Sequence, residues 1–209
     1  AAGNTYKLSG EYIVEEGATL HIEEGVKIIA VYDDIADYIL VKQGGKINAV
    51  GTPDKPIVMT SEKEEPGAWG GIHICGRAHT NAEGGKGSSE IGGAVYGGND
   101  DADNSGTLQY IRLEYTGFAF DEEHEANGIS FYGVGNGTIV DHCQAYKGSD
   151  DGFEFFGGSV NVSNLVAVSC SDDSFDWTEG WNGKGTNLVA YQEAESTPVS
   201  YTHLRAHET

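Results

Sequence analysis

The stretch GSDDGFEFFGG, residues 148–158, returns 22 residues later as CSDDSFDWTEG, residues 170–180. The Asp-Asp pair and the aromatic–acid–aromatic triplet that follows it fall in the same columns of both copies. A repeat of about two dozen residues is typical of a solenoid, in which each repeat forms one coil stacked on the last. The two copies therefore predict two adjacent coils that bring their acidic residues together.

The same period continues through most of the chain. NGISFYG (127–133) aligns with DGFEFFG (151–157), and VEEGATLHIEEGVKI (14–28) aligns with VKQGGKINAVGTPDKPI (41–57). Apolar and polar residues alternate over short runs that Gly, Asp or Asn interrupts, which indicates strands. The sequence predicts an all-β fold, a single-stranded right-handed parallel β-helix with coils of about 22–27 residues. The alternative is an antiparallel sandwich, which would need two-residue Asn-Gly or Asp-Gly hairpin loops between paired strands.

The repeats define one domain, residues 1–198, with a Gly/Asp-rich loop insertion at about 78–104. The last segment, VSYTHLRAHET (199–209), breaks every pattern in the chain. It resembles the in-frame translation of a transposon-end adapter used to prepare sequencing libraries. We therefore expect it to be an artefactual tail outside the fold, with the natural C-terminus missing.

Composition limits the function classes. The chain of 209 residues carries a formal net charge of −21, which argues against nucleic-acid binding because that needs Lys/Arg-rich surfaces. No apolar run approaches the roughly 18 residues of a membrane span, so we expect no transmembrane segment. We expect Cys75, Cys143 and Cys170 to be buried free thiols, with a disulfide as the alternative.

Several motifs together resemble a known family. They are GGKINAVGTPDKPIVMTS, WGGIHICGRA, SGTLQYIRLEYTG and the two acidic repeats, and the resemblance covers residues 5 to about 192. The chain is similar to secreted or lipid-anchored surface proteins of Bacteroidetes-like bacteria, which are right-handed parallel β-helices of the pectin-lyase-like superfamily. The resemblance implies an extracellular or outer-membrane-surface location, and it implies no particular activity.

The acidic repeat predicts a ladder of carboxylates. Alternation points Phe153, Phe155, Phe175 and Trp177 inward, so the acids between them point outward. Coils stack about 4.8 Å apart, and two like charges at that spacing repel by roughly 3 kcal/mol at an effective dielectric of about 20. Turn capping by Asp is one source of relief, and bound Ca²⁺ is the other. The predicted metal ligands are Asp150, Asp151, Glu154, Asp172, Asp173 and Asp176.

A second acidic segment is a weaker metal hypothesis. Asp101, Asp103 and Ser105 match the first half of an EF-type calcium loop, but Arg112 stands where the bidentate Glu belongs. The alternative interpretation is a solvated acidic loop.

Two function classes remain open. The favoured one is a non-catalytic surface module that binds a glycan or a cell-surface protein, with Tyr132 and Phe156 as an outward aromatic platform beside Ser130. The same aromatic pair is otherwise a stack that stabilises neighbouring coils. The alternative class is a polysaccharide-degrading enzyme, similar to pectate lyases or polygalacturonases. It would use Asp150, Asp151 and Asp173 with Lys147 as the base, although the Gly-His-Gly of polygalacturonases is absent and Asp172-Asp173-Ser174 stands at the second position.

Overall fold

The fold is a right-handed parallel β-helix, as the repeats predict. The structure is a computed structural model that describes residues 1–33, 35–121 and 124–193, and the backbone of a short strand at 205–206. In chain order the strands are β1 (Thr5–Leu8), β2 (Glu11–Val14), β3 (Thr19–Ile22), β4 (Lys27–Ala30), β5 (Tyr38–Val41), β6 (Lys46–Val50), β7 (Ile57–Ser61), β8 (Ile72–Cys75), β9 (Gly87–Ser88), β10 (Val95–Tyr96), β11 (Gly106–Glu114), β12 (Ile129–Tyr132), β13 (Ile139–Tyr146), β14 (Phe153–Phe156), β15 (Asn161–Ser163), β16 (Val166–Val168), β17 (Phe175–Thr178), β18 (Gly185–Thr186), β19 (Val189–Tyr191) and β20 (Arg205–Ala206).

Each coil contributes to three faces of parallel strands. Face 1 is β2, β5, β8, β12, β14 and β17, and β20 pairs with its last strand. Face 2 contains β3, β6, the first halves of β11 and β13, β15 and β18. Face 3 contains β1, β4, β7, the second halves of β11 and β13, β16 and β19. Within the segment 199–209, which was expected to lie outside the fold, β20 pairs with β17 and extends face 1; the rest of the segment lies outside the described residues.

Single residues in the left-handed region turn the corners. Between faces 2 and 3 these are Tyr110 (φ 51°), His142 (φ 52°), Asn164 (φ 54°) and Asn187 (φ 55°). This conformation is costly for residues other than Gly, and contacts between coils offset the cost. Asn187 Nδ2 donates to Asn164 Oδ1 at 3.0 Å, Asn164 Nδ2 donates to Asp141 Oδ1 at 2.8 Å, and the Tyr110 and His142 rings stack 4.5 Å apart. The corner is therefore a ladder of polar and aromatic contacts.

The lumen is filled by inward apolar side chains in register. Ile129, Phe153 and Phe175 share one column, and the last two stack with centroids 5.6 Å apart. Phe155 is 2% exposed, so the predicted inward phase is confirmed for the three phenylalanines. Trp177 pairs with Phe155 and packs against the lumen core, but it is only partly buried, which corrects the expectation of full burial; Trp181 also stacks on Phe155, at 4.6 Å.

Residues 76–105 leave the solenoid between β8 and β11 and fold over face 1. They contain a 3₁₀ turn (Glu83–Gly85) and the antiparallel pair β9–β10. Their apolar side chains close a second core against the outward side of face 1. This core consists of Tyr38, Leu40, Cys75, Ile91, Ala94, Tyr96, Ala126, Tyr132 and Phe156. The three cysteines are buried free thiols, as expected.

Candidate functional site: an acidic cleft beside face 1

The two acidic repeats stack in the predicted register. Glu154 pairs with Asp176 across β14 and β17, and the Asp173 backbone N–H donates to Asp151 Oδ1 at 2.7 Å. Two groups of three carboxylates result, and in each group one oxygen from every member lies within 4.8 Å of the others. The groups are Asp150, Asp151 and Asp172, and Asp151, Glu154 and Asp176. Asp151 belongs to both, so it is the centre of the site. We call these residues together with Asp173 the acidic cleft.

Burial and mutual repulsion raise the pKa values of three carboxyl groups in the cleft. Asp151 is 7% exposed, and its burial, followed by the charge of Asp150, raises its pKa to about 9. Burial and then the charges of Glu125 and Asp172 raise the pKa of Asp150 to about 7. The pKa of Glu154 is raised well above its usual value, chiefly by burial. Among the described residues, none of the ion pairs involves Asp150, Asp151 or Glu154. No basic side chain in that part of the chain therefore neutralises these three carboxylates.

Three residues that the sequence did not single out complete the cleft. Glu90, from the insertion, and Glu125, from the connection between β11 and β12, add charge beside Asp150. Asn127 is 1% exposed, and its Nδ2 donates to Glu154 Oε2 at 2.5 Å. Both acids lie outside the repeat, so no column of the alignment could have placed them.

The aromatic platform is wrong as an exposed surface. Tyr132 and Phe156 do lie on the outward side of face 1, and their rings stack 4.4 Å apart. The insertion covers them, however, leaving them 1% and 7% exposed, with Ser130 at 0%. Tyr96 packs over Tyr132 with ring centroids 5.2 Å apart. The alternative interpretation, a stack that stabilises neighbouring coils, agrees with this geometry.

The residues of the enzyme alternative can be located, and that alternative stays a prediction. Lys147 Nζ pairs with Glu193 Oε2 at 3.0 Å and lies 5.1 Å from the centre of the Tyr146 ring. These contacts raise the pKa of Lys147, first through Glu193, so the amine stays protonated. An inverting glycosidase separates its two carboxyl groups by roughly 6.5–9.5 Å, whereas the cleft carboxylates approach within 4.8 Å. Lys147 is thus held in an ion pair away from a free amine, and the closest carboxylate oxygens within each group lie nearer together than the carboxyl separation of inverting enzymes.

The residues of the second metal hypothesis make local hydrogen bonds, and the hypothesis itself stays a prediction. Asp101 Oδ1 accepts from the His79 backbone N–H at 3.1 Å and lies 2.8 Å from His79 Nδ1. Asp103 Oδ2 accepts from Ser105 Oγ at 3.3 Å in a buried pair. Within the described ranges, the groups of acidic side chains that could hold a metal include neither aspartate. The segment instead packs on the backbone near Gly135, to which its carbonyls and amides are close.

The three faces of parallel strands make the chain a parallel β-helix protein. The model of the family described as a pectate-lyase like beta helix domain matches residues 1–201, and the chain belongs to this family. No match was found among curated proteins. In the part of the chain that the structure describes, no helix has the length and apolar character needed to cross a membrane.

Proposed function

We propose that the chain is a non-catalytic β-helix module of a secreted or surface-anchored protein, which holds Ca²⁺ in the acidic cleft and binds a glycan through it. One observation carries the proposal: Asp151, buried and without a basic partner among the described residues, is shared by two groups of three carboxylates. Family membership supports the β-helix scaffold, and the resemblance to surface proteins supports the location.

The chemistry of the cleft suits calcium. Ca²⁺ takes about six to eight oxygen ligands at roughly 2.3–2.6 Å and favours carboxylates. The cleft supplies carboxylates from both stacked coils, and Asn127 Oδ1, which has no hydrogen-bond partner among the described residues, is a further oxygen beside Glu154. Binding would replace the protons that burial now keeps on Asp151 and Asp150. Hydroxyls of a glycan can complete the coordination of such an ion, which gives a chain of net charge −21 a way to hold an oxygen-rich ligand.

Thermal unfolding tests the proposal. The Tm should rise when Ca²⁺ is added and fall when a chelator removes it, because a ligand that binds only the folded state stabilises it by mass action. Asp151→Asn combined with Asp173→Asn should abolish the response, and the exposed turn variant Asp54→Asn should keep it. An unmoved Tm in wild type, together with a double variant that melts higher than wild type, would refute calcium binding.

A retaining glycoside hydrolase is the second candidate, favoured by the same carboxylates. Asp151, with a pKa of about 9, is a proton donor beside Asp150, with a pKa of about 7, at neutral pH. Retaining enzymes place their two carboxyl groups roughly 5–5.5 Å apart, which the close oxygens of the cleft approach. Release of reducing ends from acidic and neutral glycans, lost in Asp151→Asn, would select the hydrolase. Absorbance of unsaturated uronates in the products would instead indicate a lyase.

A further inference from the structure

A second pocket, of about 360 Å³, opens on the loops that join face 3 to face 1, the same edge that carries Asp150. Three connections form it: the one after β4, the one after β7 and the one after β11. Its lining includes Tyr32, Asp33, Lys63, Glu65, Pro66 and Phe118. A pocket of this size is within the roughly 300–1,000 Å³ range of small-molecule sites.

Tyr32 is an exposed aromatic ring held in place. Its side chain is 55% exposed, and its hydroxyl accepts from Lys63 Nζ at 2.9 Å. The same Nζ lies 4.5 Å from the ring centroid and pairs with Glu65 at 3.0 Å. A fixed aromatic ring therefore stands beside both a hydrogen-bond donor and carboxylate acceptors. That combination suits a sugar, which presents C–H groups to a ring and hydroxyls to polar neighbours.

A second aromatic residue, Phe118, also lines the pocket. The Phe118 ring packs edge-on against Phe120, with centroids 5.1 Å apart, and the Phe118 backbone N–H donates to Trp69 O at 3.2 Å. Tyr32 and Phe118 thus line the same pocket. The pocket needs no loop movement to present them.

Local and global charge favour a neutral ligand. The ionisable groups in the lining are one lysine, Lys63, against Asp33 and Glu65, so the pocket holds no excess of positive charge. The net charge of −21 on the chain repels polyanions such as polyuronates at a distance. We propose that this pocket binds one sugar unit of a neutral glycan, with the ring of the sugar against Tyr32 and its hydroxyls on Lys63 and Glu65. The inference rests on the proposed glycan-binding function and gives it a sugar pocket outside the acidic cleft.

The pocket and the acidic cleft share a wall. The Gly67 backbone N–H donates to Thr116 O at 2.8 Å, and the Ser149 N–H donates to the same carbonyl at 3.0 Å. Ser149 Oγ donates to Gly117 O at 2.7 Å, and Asp150 is the next residue in the chain. These contacts place the turn that carries Asp150 next to the loops that form the pocket.

Affinity electrophoresis of the full chain tests the pocket. Native gels would contain galactomannan, xyloglucan or hydroxyethyl cellulose as neutral probes, or polygalacturonate as the anionic probe, with chelator present throughout. We expect at least one neutral polysaccharide to retard the wild type and polygalacturonate not to. Tyr32→Ala should raise the dissociation constant for the polysaccharide about tenfold. Tyr32→Phe, which keeps the ring, should retain most of the affinity. Tyr191→Ala, which removes a tyrosine 58% exposed on face 3, is the matched control and should behave as wild type.

The outcomes separate the pocket from the cleft. Absence of retardation by all three neutral polysaccharides, or retardation that Tyr32→Ala leaves unchanged, overturns the pocket proposal. If calcium still raises the Tm in that case, the cleft proposal stands alone. Retardation that depends on Tyr32, in a protein whose Tm calcium leaves unchanged and whose Asp151→Asn/Asp173→Asn variant melts higher than wild type, supports the pocket and overturns the cleft.

Discussion

The acidic cleft should make the folded protein less stable as the pH rises, and Asp151→Asn should remove the part of that dependence that Asp151 contributes, leaving the parts of Asp150 and Glu154. Asp151 has a pKa of about 9 in the folded chain, against about 3.9 for an unfolded Asp. Between these values the unfolded chain has released the proton that the folded chain still holds. The contribution to stability is therefore complete below about pH 4 and is lost as the pH rises toward 9.

The size of the effect follows from the pKa shift. One pKa unit corresponds to 1.36 kcal/mol, and the interval from pH 5 to pH 8 lies wholly between the two pKa values. Wild type should therefore lose about 4 kcal/mol more than the Asn variant over those three units, or about 8–16 °C in Tm for a chain of this size. Asn keeps an oxygen to accept the Asp173 backbone N–H, so the variant loses the charge and retains the hydrogen bond.

Urea unfolding of calcium-free protein at pH 5, 6, 7 and 8 would measure the difference. The profile of Asp151→Asn should be flatter than that of wild type, and the variant should be the more stable protein at pH 8. Asp54→Asn, an exposed turn substitution, should follow wild type. Saturating calcium should flatten the wild-type profile because the ion takes the place of the protons. Parallel profiles for wild type and Asp151→Asn would refute the raised pKa and the electrostatic account of the cleft.

Three further outcomes follow from the fold. Phe155→Ala should cost about 3–5 kcal/mol in urea unfolding, because it empties a stacked lumen site; a loss below 1 kcal/mol would show that the lumen refills. Asn164→Ala should cost about 1–3 kcal/mol, since it removes a corner hydrogen bond and leaves a left-handed residue without support, and Asn164→Gly should recover part of that loss. His73 is buried and neutral, with a pKa lowered to about 4 chiefly by burial, so it destabilises the fold as the pH falls below 6.5; His73→Gln should show a smaller loss of Tm between pH 6.5 and pH 4.5, and an unchanged acid limb would contradict this.

The pairing of strands in neighbouring coils could be predicted from the sequence, because the strand register depends on the local alternation of apolar and polar residues. A strand has a side-chain period of two, so aligning Phe153 with Phe175 also determined that Glu154 would pair with Asp176. The same rule correctly placed Tyr132 and Phe156 on the outward side of face 1. Alternation says nothing about what covers a face, and the insertion made the predicted platform into a second core.

The rest of the cleft depends on contacts that the repeat does not encode. Glu90 and Glu125 come from loops whose positions are set by packing over face 1, and neither has a counterpart in another coil. Trp177 is left partly exposed at the last described coil of face 1, and Trp181, from the turn after β17, stacks on Phe155 as well. The repeat therefore predicts which residues pair between coils. It does not predict where the loops pack, because their positions depend on the tertiary structure.

The docked insertion changes how this solenoid should unfold. In a plain solenoid each coil contacts only its neighbours, so coils can detach one after another from an end. Here the hydroxyls of Thr80 and Tyr96 both donate to the carboxylate of Glu179. These two hydrogen bonds join residues that are 99 and 83 positions apart in sequence, and the strands β12 and β14 lie between those positions. The coils from β8 to β17 are thereby tied into one cooperative unit. Pulled from its ends, the protein should release this unit in a single large step instead of coil by coil, and a Glu179→Gln substitution should divide that step into smaller ones.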